Sequence, residues 1–523
     1  MEKQDLIQLV KQMVQRKIRT QEALESLKKE WAKELREKGS ISNSEILRIY
    51  RDLIKKGKLK ENKTLLWLLQ TQKIRTLSGI AIIAVLTKPY PCPGQCIYCP
   101  DQKDMPKSYL NDEPAVMRAI LCKFDPFKQV RARIKMLENT GHPTNKIELI
   151  VMGGCFTALP KKYQEWFIKR CFEAANEKKG KTLKEVQKIN EKSKHRIIGI
   201  TLETRPDHIT PEVVRWFREL GATRVEIGVQ SLYDDVLKLN RRGHGVEAVI
   251  QATRLLKEAG FKINYHMMPN LPGSTPRKDL AMFKKLFSNS DFQPDMLKIY
   301  PCVLTRESKL YSWWKQGKYK PYPDRQLINL LIKIKQTIPP YVRIMRLGRD
   351  IPVPDIITGC KISNIREVVH RQMEERGIEC KCIRCKEVRA KTKARVKLFR
   401  YDYHASDGKE IFLTFEDPKR QTLFAFLRLR IPSSSLIFPT LQGSAIIREL
   451  HVYGELVPIS QRKAKATQHF GLGKKLMKEA EKIAKKEFGL NKIAVISGIG
   501  VRNYYRKLGY RSKDTYMVMR LTK

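Results

Sequence analysis

Residues 88–100 read Lys-Pro-Tyr-Pro-Cys-Pro-Gly-Gln-Cys-Ile-Tyr-Cys-Pro, which sets Cys92, Cys96 and Cys99 in a C-x3-C-x2-C run. Three thiolates on one short loop can hold three corners of a 4Fe–4S cluster, and the fourth iron is left without a protein ligand. An open iron is what a radical S-adenosylmethionine (SAM) enzyme needs: the cofactor binds there and takes one electron at its sulfonium. Closely spaced cysteines also bind zinc, but a structural zinc site takes four ligands. No fourth Cys or His lies within twenty residues of this trio, so the spacing favours the cluster.

Outward from this loop, apolar runs at 80–86, 147–152, 197–202, 225–229, 263–268 and 296–300 alternate with helical stretches, among them 126–139, 160–175, 211–220 and 246–259. Such a βα repeat predicts an α/β fold with a parallel sheet closed or partly closed into a TIM-type barrel. Barrel chemistry collects at the C-terminal ends of the strands. The cysteine loop follows the first strand, and Gly153-Gly154 end the second, where a ligand can meet bare backbone. Glu203 to Asp207 end the third, Gln230-Ser231 the fourth, and the fifth and sixth carry His266 and Lys298. Polar groups therefore converge on one rim, although each alone suits an ordinary loop.

The chain has 523 residues, room for three or four domains, and 42% of them are hydrophobic. No run of 18 apolar residues occurs, so no membrane span is expected. A charged N-terminus without a signal-peptide pattern, and eleven cysteines, point to a reducing cytoplasm and to metal sites rather than disulfides. Lys and Arg number 103 against 54 acids, a net charge of +49. Heat adaptation raises both signs together, so this one-sided excess predicts a polyanionic partner, nucleic acid before acidic membrane. Residues 1–75 read as basic helices, with Leu6, Leu9, Val10 and Met13 on one face and Ser42 with Glu45 in capping-box spacing. Residues 1–80 hold 19 Lys/Arg and 10 Asp/Glu, and the dense stretch Arg51, Lys55, Lys56, Lys58, Lys60, Lys63 suits either a solvated face or phosphate contact.

The sequence reading divides the chain into 1–75, a barrel at 76–340, a linker at 341–390 and a C-terminal domain at 391–523. In the linker, Cys380, Cys382 and Cys385 lie close enough for a zinc knot, with Cys360 or His370 as fourth ligand; three reduced thiols are the plainer reading. Residues 380–400 carry nine Lys/Arg and one Glu, a further nucleic-acid candidate. The C-terminal domain shows strands at 410–415 and 423–429 with an Asp407-Gly408 turn, and a strand at 444–453. Gln468-His-Phe-Gly-Leu-Gly473 then opens a helix at 474–488, followed by a strand at 492–497 and a short helix within 503–510. Glycine-rich amides leading into a helix N-terminus can seat a pyrophosphate, or make only a tight turn. The order matches the acetyl-CoA-binding core of the GNAT acetyltransferase fold.

A SAM barrel joined to an acetyl-CoA domain is a rare pairing, and the chain resembles the Elongator catalytic-subunit family in its single-chain archaeal or bacterial-like form. The resemblance runs through 75–79, Thr87-Lys-Pro89, the cysteine loop, Pro106-Lys-Ser-Tyr109, 148–156, 199–207, 224–232, 294–300, 448–454, 468–473 and 503–510. It implies a transfer RNA enzyme that adds an acetyl-CoA-derived carboxymethyl group to C5 of the wobble uridine through a deoxyadenosyl radical. The implied partners are the tRNA anticodon arm, acetyl-CoA and SAM, with no membrane; the oligomeric state stays open, a homodimer included. By the same resemblance, Gly153, Gly154 and Glu203 face SAM, and Lys298 serves the reacting pocket or a carboxylate. Lys146, Glu449, Leu450, His451 and Val452 meet acetyl-CoA; Gly471, Leu472, Gly473 and Lys474 meet its pyrophosphate; and Tyr505, beside Tyr504, meets the thioester end. Paired tyrosines also suit one core and one surface ring. The chain departs from the family in a short gap between its first two cysteines, in Cys155 where Thr is common, and in Asp101-Gln102 where a Gly pair is familiar.

Two other readings compete. A protein lysine acetyltransferase using only the C-terminal domain needs a carboxylate base, for which Glu449 is the candidate. An RNA-binding scaffold with a purely structural cluster predicts tRNA binding without acetyl-CoA turnover.

Overall fold

The computed structural model describes residues 2–35, 41–71, 79–388, 395–433, 437–453 and 471–521. Seven parallel strands form the first sheet in the order β1 (Ala81–Leu86), β2 (Lys146–Met152), β3 (Arg196–Thr204), β4 (Arg224–Gln230), β5 (Lys262–Met267), β6 (Met296–Ile299) and β7 (Arg343–Leu347). Helices such as Pro126–Asn139, Pro211–Glu219 and Val246–Glu258 follow the strands. Pro at the first helical turn preorganises each of the first two starts, and the Asp125 and Thr210 side chains cap them. β1 and β7 are the unpaired edges, so the barrel is open. The alternating pattern thus continues past residue 340, where the sequence suggested that it stops. β7 reads Arg-Ile-Met-Arg-Leu: only Ile344 and Leu347 are buried, while Arg343, Met345 and Arg346 line a polar lumen, so the strand lacks the apolar run that marks its neighbours.

The second sheet runs β13 (Arg511–Lys513), β14 (Tyr516–Arg520), β12 (Lys492–Val495), β11 (Ser444–Val452), β10 (Leu423–Ile431), β9 (Gly408–Glu416) and β8 (Lys397–Ala405). β8 escapes sequence reading because it is a largely exposed edge strand. The turn before β9 is Ser406-Asp407, both with positive φ (46° and 61°), rather than Asp407-Gly408. Gly408 instead makes room for Arg430, whose guanidinium carbon stands 2.5 Å from where a Cβ would be.

The N-terminal helices Lys3–Gln15, Gln21–Glu34, Asn43–Lys55 and Lys63–Leu69 bury their own small core around Leu9, Leu24, Leu47 and Leu68. Ser42 is the N-cap residue, but its hydroxyl bonds Ser44 and not the helix backbone, so the expected capping box does not form. Arg51 is half-buried and donates to the Glu138 carbonyl, which docks these helices on the barrel and removes Arg51 from the exposed basic stretch.

The barrel and the second sheet share one contiguous apolar core. Gly498 and Gly500 press on the backbone of β3: a Cβ on Gly498 would stand 1.8 Å from the Ile198 carbonyl oxygen. Beside this seam Arg448 spans Asp295 and Glu410, each at 2.9 Å, and Arg430 pairs with Glu258 and Glu410, all with side chains at most 2% exposed. The two halves are one packed body, and that sets the geometry of the cavity between them.

Candidate active site

Because β-strand side chains alternate, every second residue of the barrel strands points into the lumen. Lys146 and Glu148 of β2, Arg224 and Glu226 of β4, Lys262 and His266 of β5, and Lys298 of β6 line a cavity of about 1750 Å³. The cavity begins at Cys92, Cys96 and Cys99, passes through the lumen, and ends among Glu449 to Val452, Gly471, Gly473, Lys474, Tyr504 and Tyr505. Thirteen of the site residues expected around the two cofactors and acetyl-CoA thus face one space, with the three cysteines at one end of it.

At the cysteine end, Cys96 is buried and Cys92 and Cys99 are half-buried. Among the described residues, the tight donor groups, with atoms within 4.8 Å of one another, are Cys380–Cys382–Cys385 and Glu203–Glu226–His266. The loop trio is more widely spread, which suits one sulfur on each of three irons better than three on one ion. Two buried guanidiniums face this loop, Arg205 and Arg242, and Arg205 Nη1 has no hydrogen-bond partner. The thiols, their spread and the cationic wall fit an anionic thiolate-bound cluster. Gly154 (φ 88°) lines the cavity; Gly153 (φ 135°) lies against Thr87, whose hydroxyl is 2.1 Å from a Cβ built there. Cys155 bonds Thr157 at 3.3 Å and lies 3.9 Å from His208 Nδ1. Burial raises its pKa, yet the bonds from His208 and Thr157 outweigh that and bring it to about 7.

In mid-lumen, Tyr109 donates to Glu203 at 2.9 Å, and Lys298 lies between Glu203, at 3.5 Å, and Glu226. Glu226 also accepts from His266 at 2.8 Å and Asn264 at 3.0 Å. Burial opposes the charge on Lys298, but Glu226 and Glu203 more than offset it and raise its pKa. Lys298 is therefore an ammonium held in place, not a free base. It also pairs with both carboxylates of the Glu203–Glu226–His266 group, so a cation already balances these acids. Glu226, Tyr109, Arg205 and Arg242 carried no role in the sequence reading. Period-two counting along β4 and β5 from a lumen residue finds Glu226; nothing local marks Arg242, which reaches the site from the loop after the helix Asp234–Leu239.

At the far end, β11 pairs with β12 from Ser444↔Lys492 to Ile447↔Val495 and then runs on to Val452 paired with β10 but no longer with β12. The splay leaves backbone open for an extended thioester arm. Gly471 (φ 65°) starts the helix Leu472–Lys486, whose first amides face the splay. Residues 468–470 of the glycine-rich loop lie outside the described residues, as do 75–78, 389–394 and 454 of the quoted motifs. The Leu472 side chain is core, so only its backbone is available there. Tyr505 is buried and Tyr504 is 37% exposed, with its hydroxyl over Gly473. Lys146 is half-buried beside Arg196, and burial lowers its pKa. Burial holds His451 near pKa 4, so it is neutral. Glu449 binds Arg428 at 2.9 Å; burial opposes its charge, but Lys262 and Arg428 hold its pKa low, which makes it a poor base for a lysine amine.

The linker cysteines lie elsewhere, outside the cavity lining. Cys382 and Cys385 sulfurs are 3.4 Å apart, and His370 Nε2 is 3.7 Å from Cys385. Neither His370 nor Cys360 belongs to the tight donor group of Cys380, Cys382 and Cys385. No helix among the described residues is long and apolar enough to cross a membrane.

Comparisons agree with this architecture. Residues 90–286 match the Radical SAM superfamily, 294–375 the Radical_SAM C-terminal domain, and 383–510 the Acetyltransferase (GNAT) family. The chain is 47% identical to a tRNA uridine(34) acetyltransferase of Methanocaldococcus infernus, over 91% of this chain and 93% of that protein. It is 43% identical to Elongator complex protein 3 of Homo sapiens, over 88% and 87%. A solved structure of Methanocaldococcus infernus Elp3 lacking residues 1–46 superposes with a TM-score of 0.76 at 46% identity, covering 85% of this chain and all of that one.

Proposed function

We propose a function from one premise: the chain belongs to the family of tRNA uridine(34) acetyltransferases and Elongator complex protein 3. It modifies the wobble uridine of tRNA, adding an acetyl-CoA-derived carboxymethyl group to C5. The observation that carries this reading is the single cavity joining the cysteine loop to the splayed β11–β12 cleft. A lysine acetyltransferase would need neither the barrel nor the lumen, and its candidate base is tied to Arg428.

Cys92, Cys96 and Cys99 would hold a 4Fe–4S cluster, with SAM against Gly154 and Glu203. When bound, these groups supply a deoxyadenosyl radical able to take hydrogen from an acetyl methyl. The chain's own residues do the rest. Glu203 is oriented by Tyr109 and Lys298. The Lys298 ammonium presents positive charge where a thioester or carboxylate oxygen gathers negative charge. Glu449 to Val452, the amides from Gly471 to Lys474, and Lys146 position the acyl carrier, with Tyr504 and Tyr505 at its thioester end. The lumen shields these groups from bulk water. Exposed Lys55, Lys58 and Lys60 supply phosphate contacts for the anticodon arm.

The zinc reading places Cys380, Cys382, Cys385 and, by proximity, His370 around one ion that staples the linker. The divisions at 1–75 and 391–523 are kept; β7 (Arg343–Leu347) belongs to the barrel, so the barrel runs past residue 340 and the linker begins after it. The reading implies work in the cytoplasm, where tRNA is.

Anaerobically reconstituted protein, given SAM, reductant, acetyl-CoA and bulk tRNA, should yield carboxymethyl on uridine by mass spectrometry of the digested RNA, and none with Cys96→Ser. RNA-dependent release of CoA without this product would refute the radical step. Metal analysis of the same preparation should give about one zinc per chain, lost in Cys382→Ser; zinc equal in both would reject the linker site.

A further inference from the structure

We propose that Arg242 sets the reduction potential of the cluster at Cys92, Cys96 and Cys99 by hydrogen bonding the Cys96 sulfur; this rests on the function proposed above. Arg242 Nη1 stands 3.4 Å from Cys96 Sγ, and Nη2 donates to the Gly228 carbonyl at 2.6 Å. The side chain is buried, with the residue 6% exposed, and Nε has no partner. Among the described residues no carboxylate pairs with it. The other guanidinium at this loop is different: Arg205 is neutralised by Asp207 through bonds of 3.0 and 2.7 Å.

A buried cation without a carboxylate is costly unless another anion balances it. The thiolates are the anions within reach. Three thiolates on an oxidised 4Fe–4S core leave one net negative charge, and uptake of one electron from an external donor adds a second. A fixed guanidinium beside one sulfur therefore favours the reduced state more than the oxidised one. Hydrogen bonds to sulfur and net charge are recognised determinants of cluster potential. The backbone is shaped for this contact. Gly228 lacks the Cβ that would lie 2.7 Å from Arg242 Nη2, and Ile97 donates to the Asn240 carbonyl at 3.2 Å, tying the Arg242 loop to the cysteine loop. Arg242 acts through Cys96 and so is a positioning residue.

The test is an EPR-monitored redox titration, with dithionite as electron donor, of the reconstituted full chain. Arg242→Met should hold its cluster and show a more negative midpoint potential than the wild type. Arg242→Lys, which keeps the charge without the planar fork, should recover part of the shift. Gly228→Ala keeps Arg242 but displaces its guanidinium, and should move the potential in the same direction by less. If Arg242→Met assembles no cluster, Gly228→Ala and Arg242→Lys decide. Intact clusters with unmoved potentials in the variants that assemble would overturn this inference alone. A wild-type chain that holds no 4Fe–4S cluster would overturn the functional reading, and this inference with it.

Discussion

Glu226 collects Lys298, His266 and Asn264 around one carboxylate with a fully buried side chain. Burial works against its charge, and Lys298 then His266 pull its pKa well below the usual range. Such a pair is costly to break by removing one partner, about 3–5 kcal/mol, because the other charge stays buried alone. Lys298→Met should therefore destabilise the protein by about that amount in urea unfolding. Adding Glu226→Gln should restore most of the loss while tRNA product stays absent. A double variant as unstable as the single one would show that the pair is not the cause. The polar types at this rim were readable in the sequence, since Glu203 and Lys298 fall at strand ends. Their pairing was not, because β3, β4 and β6 bring together residues up to 95 positions apart.

At the scale of elements, the short 3₁₀ turn Ile499–Val501 docks the second sheet on β3. Gly498 has φ −68°, a conformation open to any residue, so only space demands glycine there. A methyl would meet the Ile198 carbonyl oxygen at 1.8 Å. Gly498→Ala should cost about 1–3 kcal/mol of stability or more and open the seam to limited proteolysis. Unchanged stability and proteolysis would mean the seam adjusts freely. β7 and β8 were illegible in sequence for related reasons. One lines a charged lumen and the other is an edge, so neither carries the apolar signal of a strand buried on both faces. The other barrel strands, packed under helices, carry it plainly.

Across the whole molecule, four cations (Lys257, Arg428, Arg430, Arg448) meet four acids (Glu258, Asp295, Glu410, Glu449) at the barrel–sheet seam, all with side chains at most 10% exposed. Asp295, Lys257 and Glu258 come from the barrel and the others from the second sheet, so neither half balances its own charge. Arg448→Met should destabilise by about 3–5 kcal/mol, and urea unfolding followed separately in each half should shift in both. A shift in one half only would show that the halves are stable independently. Sequence alone determined the cysteine loop, the βα order, the glycine-led helix beside β11 and the excess of positive charge. Each of these is written in local spacing or in composition. Tertiary structure alone decided that Arg242 faces Cys96, that Lys298 is held by two carboxylates, that His370 lies beside Cys385, and that one lumen connects both ends of the site. Those facts depend on which distant strands become neighbours, and spacing along the chain carries no record of distances across it.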